Sequence, residues 1–167
     1  MASVKTILID QFTACWDENE WFVALKNAIE GMTAEEASWS PAGSDRSVWK
    51  LLTHLNYYNN AWLIRFSGGE YVYPEGATND DTFAVADVLS DDGLKEELRR
   101  TEQIMEDWRT ALRAADEHRF DEPISPENAS LWSQVISDIN THTAYHAGQI
   151  LLLRKLHGTW DPAKGVS

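Results

Sequence analysis

The chain has 167 residues, 43 % of them hydrophobic and 11 % aromatic, a composition that argues for a packed core rather than disorder. Its 27 acidic side chains outnumber 14 basic ones, for a formal net charge of −13. That balance excludes a phosphate-backbone partner such as DNA or RNA, which needs clustered Lys and Arg, and disfavours an anionic membrane surface.

The first predicted helix runs from about Ser3 to Ile29 or Glu30. Leu8, Cys15, Phe22 and Ile29 recur every seven residues, with Phe12 and Leu25 between them, and Gly31 supplies a stop. The N-terminal segment lacks the long apolar run of a signal peptide, and no segment reaches the roughly 18 apolar residues of a membrane span. Cys15 is the single cysteine, so an intramolecular disulfide is excluded. Its place on the apolar stripe predicts a small buried hydrophobe rather than a reactive thiol. A soluble protein of the reducing cytoplasm is therefore expected.

Thr33 to Glu36 reads as a capping box that opens a short helical turn, and Ser40 to Gly43 is loop chemistry. A second helix is predicted from Asp45–Ser47 to about Ser67, closed by Gly68 and Gly69; its apolar face includes Val48, Leu51, Leu52, Leu55, Tyr58, Trp62 and Phe66. Residues 68 to 89 hold no sustained period. A connection this long is expected to cross the bundle, so that the second and third helices are not hairpin partners. The third helix, capped by Ser90 or Asp91, carries the cleanest heptad: Leu94, Leu98, Thr101, Met105, Trp108, Leu112 and Ala115. Asp116 to Asn128 reads as a polar loop, and the fourth helix runs from about Ser130 to Leu156, ended by Gly158. Nothing reads as a paired strand. Residues 1–167 are expected to form a single all-α domain, a four-helix bundle with a long crossover connection between helices 2 and 3. Most of the eight tryptophans are expected to fill its core, and several to line a cavity between helices.

The fourth helix carries the most informative pattern. Val135, Ile139, His142, His146, Gln149 and Leu153 follow the alternating spacing that lines a helix–helix seam. Two of these positions are histidines, one turn apart on one face. Of the other three histidines, His118 sits in a charged loop and His157 at a helix end, so both read as surface residues. His54 lies mid-way along the second helix between Leu51 and Tyr58, where a facing helix that presents two imidazoles makes it the third ligand. Three neutral imidazoles suit zinc, nickel, copper, cobalt or iron better than magnesium or calcium. No further Cys or His closes a tetrahedral structural site, and three protein ligands leave a position for water or substrate. Asp138, one turn before His142, reads either as an exposed carboxylate or as a group that orients that ring or donates an oxygen. Gln149, Tyr58 and Arg65 are further candidates for the bundle interior.

Two blocks, GMTAEEASWSPAGSDRSVWKLLTHL and THTAYHAGQILLLRKL, together with the long second connection, resemble the DinB/YfiT superfamily of metal-binding four-helix bundles. The resemblance maps His54, His142 and His146 onto that family's metal triad, places Gly148 where the last helix packs closely, and matches Gln149 to the family's Gln. It implies a divalent metal, zinc or nickel first, with a low-molecular-weight thiol as co-substrate and a small electrophilic substrate. It also implies a homodimer. Three functional readings follow: a thiol S-transferase, a metal-dependent hydrolase of a small substrate, and a non-enzymatic, stress-related metal-binding bundle.

Overall fold

A computed structural model describes residues 2–85 and 90–165; the last residues of the predicted second connection, 86–89, lie outside the described residues. Four long helices, α1 (Val4–Trp16), α4 (Val48–Phe66), α5 (Asp91–Ala114) and α6 (Trp132–His157), form the bundle. Two short helices, α2 (Leu25–Ile29) and α3 (Ala34–Ser38), lie between α1 and α4. Local chemistry sets the starts. Ser3, Ser47 and Ser90 each accept a backbone N–H of the first turn of α1, α4 and α5, and Thr33 and Glu36 form a reciprocal capping box on α3. Gly158 ends α6 with φ +83°, in the left-handed region that favours glycine.

The directions of the helices follow from their contacts. Asn56 of α4 bonds Glu97 and Thr101 of α5, and Phe66, further along α4, packs on Trp108, so α4 and α5 run parallel. Lys5 near the start of α1 bonds the Arg113 carbonyl near the end of α5, while Trp16 at the end of α1 bonds Glu106 earlier in α5, so α1 and α5 run antiparallel. His54 meets His142 while Trp62 meets Trp132, which sets α4 against α6 antiparallel. This up-down-down-up order is what the long second connection implies. Between the helices lies one apolar core in which Trp16, Trp108, Trp132 and Phe120 are almost wholly enclosed. Cys15 is buried, and desolvation pushes its thiol up to about 11, so it stays protonated and inert.

Two expectations about local structure are corrected. The first helix does not continue to Ile29. It stops at Trp16, and the Asn19 side chain accepts the Ala24 N–H, which in a continuous helix would go to the Glu20 carbonyl. The register shifts across this break: Val23 is buried, whereas Phe22 is exposed and Trp21 is 96 % exposed. The loop before α6 contains a small antiparallel hairpin, β1 (Pro123–Ser125) with β2 (Asn128–Leu131), too short for an alternating pattern to register in sequence. It delivers the chain to α6, where Gln134 in the first turn accepts the N–H of Leu131, the residue that precedes the helix.

Two residues read from sequence also sit differently. His118 is exposed as expected, but His157 is half-buried against the Trp39 ring, 5.0 Å between centroids. Gly148 lies on the exposed side of α6, with nothing within 4 Å of where a Cβ would stand, so no close packing within this chain requires it.

Arg154 ties the end of α2 to the end of α6. It is 5 % exposed, donates to the carbonyls of Ala28 at 2.8 Å and Glu30 at 3.0 Å, and lies over the Trp160 ring. Arg154→Met keeps the apolar stem and strands those carbonyls. The expected cost is about 2–4 kcal/mol in urea denaturation of the metal-free protein. Bound metal should be unchanged, because Arg154 stands two turns beyond His146.

Candidate metal centre

α6 carries His142 and His146 one turn apart, and antiparallel α4 brings His54 opposite them. The Nε2 atoms of His54 and His142 lie 3.1 Å apart, those of His142 and His146 lie 3.0 Å apart, and all three donor atoms fall within 4.8 Å of one another. His54 and His146 are buried and His142 is half-buried.

Neighbouring side chains fix which nitrogen of two rings carries the proton. The Thr82 hydroxyl donates to the Asn79 carbonyl at 2.6 Å, so its oxygen is left to accept from His54 Nδ1, also at 2.6 Å. His146 Nδ1 lies 2.6 Å from Gln149 Oε1, which can only accept. Both rings therefore hold their proton on Nδ1 and turn an Nε2 lone pair inward. The Gln149 orientation is supported from its other end, where Nε2 donates to the Tyr145 hydroxyl at 3.1 Å.

A proton count then bears on what the cluster is for. His142 Nε2 faces two lone pairs, and one N–H can satisfy only one of them. A divalent ion would satisfy all three nitrogens. Nitrogen ligands about 2.1 Å from a common ion lie about 3.0–3.4 Å apart for angles between right and tetrahedral, and the observed spacings of 3.0 and 3.1 Å fall there. The donor set fits a borderline transition metal rather than magnesium or calcium.

Burial keeps the rings neutral. Desolvation, followed by the charges of His146, His142 and Arg46, pushes His54 down to about 3. His142 is pushed down to about 4 by desolvation and then His146, and His146 is lowered by desolvation against an opposing bond from Gln149. Folded pKa values below the unfolded value mean that the unfolded chain binds more protons in the window between them. The metal-free protein therefore loses stability as pH falls from about 6.5 toward 3.

The crossing connection is held onto His54 from outside. The Phe83 ring stacks on the imidazole at 4.0 Å, and the Arg46 guanidinium lies over the Phe83 ring at 3.9 Å while bonding Asp80 at 3.0 Å. Tyr58 meets His54 edge-on at 5.0 Å and donates to Asn79 at 3.2 Å.

On the open side lies a cavity of about 310 Å³, lined by His54, His142, Tyr58, Asn59, Asn79, Trp62, Val135, Ile139 and Asp138. His146 is not among the lining residues. Asp138 is exposed at the rim and makes no hydrogen bond to a histidine among the described residues. Arg65 is turned away from the triad, donating to the Tyr71 carbonyl and lying over Trp62 and Tyr73. Sequence reasoning does not find Thr82, Asn79 and Phe83, which come from the aperiodic connection, nor Asn59.

A family model of the DinB superfamily matches residues 17–150, most of the chain and all three histidines. The chain belongs to the DinB superfamily. A comparison with curated proteins finds no match. Membership in the DinB superfamily and the three-histidine cluster together fit a metal-binding protein.

The lowered pKa values have a measurable consequence. Three ordinary histidines of pKa about 6.5 would release about two protons on binding a metal at pH 6. Calorimetric titration with Zn²⁺ in buffers of different ionisation enthalpy should show fewer than one. Release of two or more would mean that the rings are protonated in the metal-free protein.

Proposed function

We propose that this DinB-superfamily chain is a metal-dependent S-transferase that joins a low-molecular-weight thiol to a small electrophile. His54, His142 and His146 would hold the divalent metal, zinc or nickel. The observation that carries this reading is a ligand set of three imidazoles with a cavity on one side of it, which leaves room for a non-protein ligand. When bound, the ion would supply the positive charge that favours a thiolate over a thiol near neutral pH.

The protein's own residues do the rest. His54 and His146, with tautomers set by Thr82 and Gln149, present lone pairs without needing to lose a proton first. Trp62, Val135 and Ile139 give the cavity apolar walls for the body of a small substrate and keep water from competing with sulfur. Asp138 is the carboxylate among the lining residues, placed at the rim to pass the thiol proton to solvent. In the transfer, sulfur forms the new bond to the electrophilic carbon, and the leaving group departs with its bonding pair. We place this chemistry in the reducing cytoplasm, where thiols stay reduced. No helix among the described residues is long and apolar enough to cross a membrane.

The test uses metal content and spectra together. His142→Ala removes the central nitrogen of the cluster and is expected to lower bound metal at least tenfold by elemental analysis. Wild-type protein loaded with Co²⁺ should develop a thiolate-to-metal charge-transfer band on adding a small thiol, and should form a thioether from that thiol and an activated chloroarene. Full metal content in the variant would contradict the ligand assignment. Hydrolysis of esters or amides with no spectral response to any thiol would favour the hydrolase instead.

A further inference from the structure

Arg65 stands in a cavity without the partners that other arginines of this molecule have. Five arginines are buried or half-buried: Arg46, Arg65, Arg109, Arg119 and Arg154. Arg46, Arg109 and Arg119 pair with carboxylates, and Arg154 is taken up by backbone carbonyls. Among the described residues Arg65 makes one hydrogen bond, from Nη2 to the Tyr71 carbonyl at 3.1 Å. A guanidinium has five N–H groups and stays charged at any physiological pH, so most of them are unused here. They are also open to solvent. Arg109 and Arg154 each have an unpaired Nε that is closed off, whereas no nitrogen of Arg65 is closed off in that way.

The guanidinium is nonetheless held in place. It lies over the rings of Trp62 and Tyr73, 5.0 Å from each, while the Tyr71 carbonyl anchors one end. With Trp62, Ile124, Ser125, Asn128 and Trp132 it lines a cavity of about 470 Å³. Asn128 Oδ1 accepts the Ser130 N–H at 3.0 Å, which leaves its amide nitrogen to donate, and the Ser125 hydroxyl can donate as well. Glu70, the carboxylate on this wall, is exposed and makes no ion pair with Arg65. The cavity thus joins a fixed cation and neutral donors to the apolar surfaces of Trp62, Ile124 and Trp132.

We propose that Arg65 anchors a second binding site, which takes the carboxylate of a small organic acid with an apolar body. A carboxylate is planar and accepts two parallel N–H groups from a guanidinium. A dianion such as a phosphate monoester meets more repulsion from Glu70 and from a chain of net charge −13. The apolar body rests on Trp62, Ile124 and Trp132. Trp62 lines both this cavity and the one beside the histidines, so the two sites share a side chain. The site goes beyond the S-transferase reading and does not depend on it, because it uses neither metal nor thiol.

Benzoate and benzamide, which differ in charge but little in shape, test this. Each is titrated to about 20 mM, the range in which fragments of this size bind, into the isotope-labelled full-length chain with and without Zn²⁺. Binding is read by NMR from the backbone amides and the Arg65 Nε–H. Benzoate should shift that N–H and the amides of Gly69, Glu70 and Ser125, and bind at least about tenfold more tightly than benzamide. Arg65→Met, which keeps the stem, should bring the ratio to about one and leave the affinity for benzamide unchanged. Phenyl phosphate should bind more weakly than benzoate. No response to benzoate, equal binding of benzamide, or shifts confined to the surroundings of His54, His142 and His146 overturns the site and leaves the S-transferase reading standing. Tighter binding of phenyl phosphate overturns the choice of a carboxylate. The wild-type shifts and the benzoate-to-benzamide ratio decide the matter even if Arg65→Met does not fold.

Discussion

Two imidazole lone pairs converge on a third ring at 3.0 and 3.1 Å, and no arrangement of protons among the three satisfies them all. That electrostatic constraint organises the rest of the site. Left to itself, the cluster would favour taking up a proton, yet burial opposes the charge and lowers the pKa of every ring in it. A divalent ion resolves the conflict, because it needs neutral imidazoles with inward lone pairs, which is the state that burial and the Nδ1 partners impose.

The bundle's unusual order follows from what the site requires. A simple up-down bundle joins neighbouring helices with tight turns, which leaves no chain to spare beside α4. Here the parallel pair α4 and α5 requires a long crossing, and that crossing passes over His54. Thr82 and Phe83 dock on the imidazole, and Arg46 with Asp80 fastens the segment to the start of α4. The connection is therefore part of the site, supplying the acceptor that sets the His54 tautomer. On the other side Gln149, three residues after His146, does the same from within α6.

Much of this was legible in the sequence, for identifiable reasons. The four long helices follow from the spacing of their apolar residues, and the starts of α1, α4 and α5 from serine caps, which are local signals. His142 and His146 stand out because histidine interrupts an otherwise apolar seam, and His54 because it does so on the facing helix. The break after Trp16 was hidden because Phe22 continues the apparent period, although it is Val23 that is buried. Whether a polar run such as Asp17 to Glu20 ends a helix depends on what Asn19 finds to bond. Thr82 reaches His54 across 28 residues from a segment without period, so no pattern announces it.

The most direct test of the account is a crystal structure of the Ni²⁺- or Zn²⁺-loaded protein with anomalous data at the metal edge. The account expects one peak per chain at bonding distance from Nε2 of His54, His142 and His146, with Thr82 and Gln149 still on the Nδ1 atoms and a non-protein ligand facing the cavity. A peak held by other residues, or no peak while the three rings keep their spacing, would contradict it.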